Sequence, residues 1–424
     1  MKFSNPGVAD IFRCAGDQFI AKYGIALPGS VRRAFAAIRD CRTSALGARY
    51  MSCDKCHTEH LVYNSCRNRN CPTCQGNAAH RWLERQVSKV IDAPYFHIVF
   101  TLPPPIARIA YANREVMLKM LMKISADTVT AIAADPKRLA AKVGGTAVLH
   151  TWNQRLEWHP HTHIIVANAG FDITSGEFKT GSETFFAPVK VLGRYFRNRF
   201  IEQLQEKYRN GDLAFPKSIA HLRSPEAFES ILGEARQIDW NVYSKKPFAG
   251  PKHLLKYLSR YTHRVAIGSS RITAFNGTEV SFRYRKPTKK ASEKPSYSVM
   301  KLSACEFIRR YLTHVLPRGF HRVRHFGIFA NSNVKKTLEK IKHQTGSMPS
   351  GEIKPDTDCN SSEMLCPTCQ TPLTLVGIVS AQGLFKHLGD ARAPPVDKAS
   401  LMISPAEKKD GLFKSQPRSP SIPY

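Results

Sequence analysis

TAVLHTWNQRLEWHPHTHIIVAN (146–168) contains two strand-like runs, TAVLHTWNQ and HPHTHIIVAN, joined by the short segment RLEW, a pattern that predicts a β-hairpin. In the second run His159, His161 and His163 fall at every second position, ahead of an aliphatic stretch. Strand residues two apart share a face, which sets His161 and His163 side by side, about 6–7 Å apart at the backbone. Two such imidazoles can converge on one cation. His159 is a further candidate on that side, although Pro160 interrupts the regularity. Two imidazoles do not define a metal site, and a third ligand is needed. Gln154 and Glu157 lie in or next to the preceding strand. Gln154 is preferred, because a hairpin partner can bring its amide oxygen across to the histidine pair.

Outward from this hairpin, YFHIVFTL (95–102) is a strand rich in aromatic and β-branched residues and stopped by Pro103-Pro104-Pro105. Helical patterns run through residues 1–50, through AAHRWLERQVSKVI and from Ile106 to Ala134. KVLGRYFRNRFIEQLQEKY (190–208) and SPEAFESILGEARQ (224–237) are two more, followed by a short strand, NVYSKKPF. RITAF and TEVSFRYR flank Asn276-Gly277, a strong tight-turn signal, and in the second strand an apolar face (Val280, Phe282, Tyr284) alternates with a basic one (Ser281, Arg283, Arg285). Beyond about residue 335 the pattern decays into Pro-, Ser-, Gly- and Lys-rich sequence, which predicts a flexible tail.

Of the 424 residues, 63 are Lys or Arg against 33 acidic, a formal net charge of +30. That excess predicts a polyanionic partner, and nucleic acid is favoured over an acidic membrane surface. No apolar run approaches the roughly 18 residues of a membrane span. The N-terminal MKFSNPGVADIFRCAGD lacks a signal-peptide core, so the expected location is the cytoplasm. In that reducing compartment the 11 cysteines read as metal ligands or buried thiols. Two Cys-x-x-Cys pairs, Cys53/Cys56 and Cys71/Cys74, predict one structural Zn²⁺ site, with Cys66, His57 and His60 as spare ligands between them. Arg67 and Arg69 make this knuckle basic. A third pair, Cys366/Cys369, is either a half-site completed by a distant ligand such as His387 or a pair of surface thiols.

KHLLKYLSRYTHR (252–264) starts one residue after Pro251, a favourable first helical position. It places Tyr257 and Tyr261 at i and i+4, on one helix face, flanked by Arg260 and Arg264. Beside cations, and with a metal-polarised phosphodiester as electrophile, such phenols become competent nucleophiles. No phosphate-binding GxxxxGK[ST] loop is present, so no nucleotide cofactor is expected.

Together, HPHTH (159–163) and YLSRYTHR (257–264) resemble the HUH endonuclease superfamily, named for its His-hydrophobic-His motif and tyrosine nucleophiles. The resemblance is closer to the rolling-circle transposases of the IS91 type. It is carried by CRTSALG, SCRNRNCPTCQ, YFHIVFTLP, LHTWNQRLEWHPHTHIIV and KKPFAGPKHLLKYLSRYTHRVAI, over roughly residues 10–330. Thr162, Asn70 and Asn153 depart from that pattern without removing an expected ligand or nucleophile. The resemblance implies an α+β fold. A small helical zinc-binding domain (1–90) precedes an HUH nuclease core (91–335) with a central antiparallel sheet flanked by helices. The flexible tail (336–424) follows and carries the Cys366/Cys369 half-site. His161, His163 and Gln154 would hold Mg²⁺ or Mn²⁺, and Zn²⁺ would be structural. Tyr257 and Tyr261 would cleave and transfer single-stranded DNA through a 5′-phosphotyrosine link. Lys245, Lys246, Arg260 and Arg264 would contact phosphates. Two alternatives stand beside a transposase: a plasmid rolling-circle replication initiator or relaxase, and a zinc-containing DNA-binding regulator without catalysis.

Overall fold

The computed structural model describes residues 6–246, 255–256, 265–286, 296–346 and 364–388. The chain opens with helices α1 (Val8–Tyr23) and α2 (Gly29–Arg39), the hairpin β1 (Ala48–Cys53) and β2 (Glu59–Tyr63), and α3 (Gly76–Val87). Then come β3 (Tyr95–Thr101), α4 (Pro104–Ala112), α5 (Arg114–Ala134), β4 (Ala141–Trp152), β5 (Trp158–Asp172), β6 (Phe178–Thr180), α6 (Val189–Arg209), α7 (Pro225–Gln237) and β7 (Val242–Lys245). β8 (Ile272–Phe275), β9 (Glu279–Arg285), β10 (Tyr297–Ser303), α8 (Ala304–Thr313), β11 (Val323–Gly327) and α9 (Val334–Thr345) follow, and β12 (Leu373–Val379) and β13 (Phe385–His387) end the described chain. Among these residues no helix is long and apolar enough to cross a membrane.

The central sheet has the order β11-β4-β5-β3-β7, with β6 added alongside β5, and every pairing is antiparallel. The alternation in β3 explains its place: Phe96, Ile98 and Phe100 are buried on one face, while His97 and Val99 point to the other. Phe96, Ile98 and Phe100 join Ile164 and Val166 of β5 in a core closed by Met117, Leu121 and Ile124 of α5, Phe196 and Phe200 of α6 and Phe228 of α7. α7 starts as its sequence dictates, with Ser224 accepting a hydrogen bond from the Ala227 N–H and Pro225 in the first turn.

The opposite face of the sheet carries the histidines and a smaller core, in which Tyr95, Val148 and Ile165 meet Trp82, Val87 and Val90 from α3 and the turn after it. β4 and β5 come unusually close near Gly145, where a Cβ would lie only 2.4 Å from the Ile165 carbonyl oxygen. A third core joins α1, α2 and α8 to the sheet β10-β9-β8. The Asn276-Gly277 turn of that sheet has Gly277 at φ +101°, a conformation that favours glycine.

The third sheet, β13-β12-β1-β2, joins an early segment of the described chain to its last two strands. Within the stretch read from sequence as a tail, α9 is helical and residues 364–388 pair with β1, from Ala48 opposite Val379 to Cys53 opposite Leu373.

Candidate functional site

The hairpin β4–β5 sets His150 directly opposite His161, and β3 sets Thr101 opposite His161 and Val99 opposite His163. Directly opposed residues share a face, so His150, His161 and His163 converge, each offering a ring nitrogen within 4.8 Å of the others. The His161 Nδ1–H donates to its neighbour's carbonyl, His159 O, at 2.7 Å. A carbonyl can only accept, so the lone pair of His161 is on Nε2. His163 Nδ1 is 2.8 Å from His97 Nε2, with the two rings stacked, which leaves His163 Nε2 for the cluster. Burial pushes His161 down to about 3 and His97 down to about 4. Burial also holds His150 and His163 well below the ordinary imidazole value, and neighbouring imidazoles add to it. All four rings are therefore neutral at pH 7, the form that binds a metal.

The third position corrects the sequence expectation. Gln154 is exposed in the hairpin's turn, where its backbone carbonyl accepts from Arg271 at 2.5 Å. It lies beyond the Trp152–Trp158 pair, whereas His150 sits in register with the histidines of β5. Glu157 turns toward Asn153 and Arg155 instead. His159 is exposed, its ring 5.2 Å from that of His161. The residues that sequence reading missed are His150 and His97. The signal for His150 was the hairpin itself: pairing Trp152 with Trp158 brings His150 opposite His161, one residue being absorbed by a bulge.

Tyr257, Tyr261, Arg260 and Arg264 lie outside the described residues. Leu255, two residues before Tyr257, is buried over the histidine-bearing face, in the core that contains Ile165 and Tyr95. Lys245 sits on β7 directly opposite His97 and is exposed. Lys246 is paired with Glu183 at 3.2 Å.

The cysteines form two clusters, and this too corrects the sequence expectation. Cys53 and Cys56 meet Cys366 and Cys369, while Cys71 and Cys74 meet Cys41 and Cys66. One ion cannot serve Cys53, Cys56, Cys71 and Cys74 together, because β2 carries the chain away from the first knuckle. Asn64, just after it, bonds back to Gly47 and Arg42 near the start of β1. Cys366 and Cys369 are not completed by His387, which lies on β13 opposite Gly377. In the cluster of Cys41, Cys66, Cys71 and Cys74, hydrogen bonds from Cys66 and Cys74 hold the Cys71 thiol far below its usual range, while those with Cys71 and Cys74 push Cys66 up. Thiols crowded this way, with Cys66 and Cys74 sulfurs 3.6 Å apart, suit a tetrahedral thiolate site. Arg69, exposed in the loop, also has a structural role. It donates to the carbonyls of Phe320 and Pro317, tying this knuckle to the loop after α8.

Residues 144–337 match a family model described as "Putative transposase", and residues 11–102 match one described as "Transposase zinc-binding domain". A protein of Sinorhizobium fredii (strain NBRC 101917 / NGR234), "Putative transposase y4qJ", is 41% identical over 346 residues, 82% of this chain and 86% of that protein. This chain belongs to the IS91 family of transposases. The transposase for insertion sequence element IS801 of Pseudomonas savastanoi pv. phaseolicola is 29% identical over 308 residues, 71% of this chain and 70% of that one. No solved structure matches.

The transposase thus pairs a zinc-binding domain, whose thiols support structural Zn²⁺, with a sheet carrying converging imidazoles. Beside the β4–β5 turn lies the basic face read from sequence. Arg283 stands opposite Val299 and Arg285 opposite Tyr297, with the Arg283 guanidinium 5.0 Å from the Tyr297 ring. Arg271 ties this sheet to the hairpin, donating to the carbonyls of both Arg283 and Gln154.

Proposed function

We propose that this transposase cuts and rejoins single-stranded DNA by a rolling-circle-type reaction through a 5′-phosphotyrosine link. The observation that carries the reading is the set of three neutral imidazoles, His150, His161 and His163, converging on the sheet face that Leu255 covers just ahead of Tyr257. Their nitrogen donors can hold a divalent ion, and the family resemblance implies Mg²⁺ or Mn²⁺. Such an ion, when bound, supplies polarisation of the scissile phosphodiester. The His159 carbonyl fixes the tautomer of His161, which offers Nε2, and a His163 that donates from Nδ1 to His97 offers Nε2 as well.

The chain's own chemistry is a transesterification. The phenolic oxygen of Tyr257 or Tyr261 forms a bond to phosphorus, the bond to the 3′ oxygen breaks, and the phenolic proton ends on the released 3′-hydroxyl. In the reverse step a 3′-hydroxyl attacks the phosphotyrosine and regenerates the phenol. One phosphodiester is exchanged for another, so no nucleotide cofactor is needed. With two tyrosines, one strand stays covalently held while a second is cut. Lys245, Arg260 and Arg264 are the candidate phosphate contacts, with Lys246 once freed from Glu183. The basic face with Arg283, Arg285 and Tyr297 suits a single strand, offering cations to the backbone and a ring to a base.

The test is incubation of the protein with labelled single-stranded oligonucleotides from the element's ends, with Mn²⁺ or with EDTA. A covalent adduct that needs Mn²⁺ and disappears in the Tyr257→Phe, Tyr261→Phe double variant is the expected result. Tight oligonucleotide binding with no adduct at any end sequence would instead indicate a regulator without catalysis.

A further inference from the structure

The zinc-binding family model ends at residue 102, yet two of its cysteines, Cys53 and Cys56, find their partners in Cys366 and Cys369, more than 300 residues on. We propose that these four thiols hold a second Zn²⁺, separate from the one at Cys41, Cys66, Cys71 and Cys74, and that this ion clips the hairpin of residues 364–388 onto the N-terminal domain.

The first argument is distance. The sulfurs of Cys53 and Cys369 are 3.4 Å apart, those of Cys56 and Cys366 3.5 Å, and those of Cys56 and Cys369 3.6 Å. These are too long for disulfides, whose sulfurs sit about 2.05 Å apart. They approach the edge of about 3.8 Å in a tetrahedron with zinc–sulfur bonds of about 2.3 Å. All four sulfurs lie within 4.8 Å of one another.

The second argument is that the two halves are built alike. CDKCHT (53–58) and CPTCQT (366–371) share the pattern C-x-x-C-x-T. In each half the first cysteine's N–H donates to the threonine carbonyl, Cys53 to Thr58 and Cys366 to Thr371. In each the residue after the second cysteine donates back to the first cysteine's carbonyl, His57 to Cys53 and Gln370 to Cys366. These two donors share a left-handed backbone, His57 at φ +54° and Gln370 at φ +59°. That conformation is uncommon for residues other than glycine, and its recurrence at matching positions marks one repeated knuckle. Each knuckle is closed by the same bridge, Ser52 opposite Glu59 and Leu365 opposite Pro372. The threonine hydroxyl of each touches the second cysteine's sulfur, at 3.0 Å for Thr58 and Cys56 and 2.7 Å for Thr371 and Cys369. Hydroxyls on the sulfurs of a thiolate site are the kind of outer support that metal centres use.

Two equivalent knuckles facing each other supply four sulfurs and leave no open position, so the site is structural. A tetrahedral set of four sulfurs takes zinc or iron. The physical consequence is closure. The pairing of β1 with β12 is short, and an ion bound at its end fixes the hairpin to a domain assembled from the other end of the chain.

The test is metal analysis of the purified full-length protein. Wild type is expected to hold two zinc ions per chain, and Cys366→Ser with Cys369→Ser one, with unchanged far-UV circular dichroism. One zinc in wild type, an unchanged count in the double variant, or iron in place of zinc would overturn the proposal. Should the double variant not fold, Cys369→His keeps four ligands. Its cobalt-substituted form should then show a weaker sulfur-to-cobalt charge-transfer band per chain, and an unchanged band would count against the site. A protease site placed between Gly346 and Met364 tests closure. The cut C-terminal piece should co-elute with the body until a chelator is added. Release with zinc still bound, or retention after zinc is removed, would overturn the clip.

Discussion

His97 on β3 and His163 on β5 stack 5.1 Å apart, and His97 Nε2 lies 2.8 Å from His163 Nδ1. Their backbones are two positions out of register, since His163 pairs with Val99, so this contact is made by the side chains on a shared face. It fixes which nitrogen of His163 is left for a metal. Outer partners of this kind are worth about 10–100-fold in metal affinity. His97→Phe should therefore weaken Mn²⁺ binding by about that factor, measured by titration calorimetry. Adduct formation should recover at high Mn²⁺, and circular dichroism should not change. Unaltered Mn²⁺ affinity would mean that His97 does not orient the site.

His150 and Gln154 lie four residues apart on one strand and its turn, yet their surroundings separate them. His150 is buried with its ring 4.3 Å from that of His163, and Gln154 is exposed. His150→Ala should abolish Mn²⁺-dependent adduct formation while leaving oligonucleotide binding within about twofold. Gln154→Ala should leave both nearly unaltered. The opposite ranking would return the third-ligand role to Gln154.

The contrast between these two residues shows where sequence reading reaches. The strand β3, the β4–β5 hairpin, the Ser224-Pro225 helix start and the Asn276-Gly277 turn follow from local patterns, which the structure reproduces. His161 and His163 were legible because a period of two on one strand suffices. His150 and His97 required the register between strands, which a bulge between His150 and Trp152 shifts by one residue. The thiol partners required more. The shared C-x-x-C-x-T pattern marks Cys53 and Cys366 as the starts of like knuckles but does not say that the two will meet. That choice is made by the length of β2, which parts Cys53 from Cys71, and by β12 pairing with β1 across more than 300 residues.

Lys245 and Lys246 are adjacent in sequence but differ in what they have to offer a phosphate. Lys245 is exposed at the register position opposite His97, and Lys246 is paired with Glu183. Lys245→Ala should weaken single-strand binding and lower the slope of log affinity against log salt by about one. Lys246→Ala should do less, because that ammonium is already partly neutralised. Salt-dependent anisotropy titrations of both variants check the order, and a larger slope change for Lys246 would reverse the assignment.

His314 makes the hairpin's stability depend on pH. Fully buried after α8, it donates from Nε2 to the Leu156 carbonyl in the β4–β5 turn at 3.2 Å and accepts at Nδ1 from Thr151 at 3.2 Å. Burial pushes it down to about 3, below the ordinary 6.5 of an unfolded chain. The unfolded state therefore takes up the proton first. The stabilisation is fully present above pH 6.5 and is lost as pH falls from 6.5 toward 3, on the order of a few kcal/mol at the acid limit. His314→Leu removes this titration but strands the Thr151 hydroxyl and the Leu156 carbonyl, at a cost of about 1–3 kcal/mol. At pH 7 the variant should be the less stable protein, and the gap to wild type should narrow as pH is lowered. Urea midpoints at pH 7, 5.5 and 4.5 measure the gap, and a gap independent of pH would show that His314 keeps the same charge in the folded and unfolded chain.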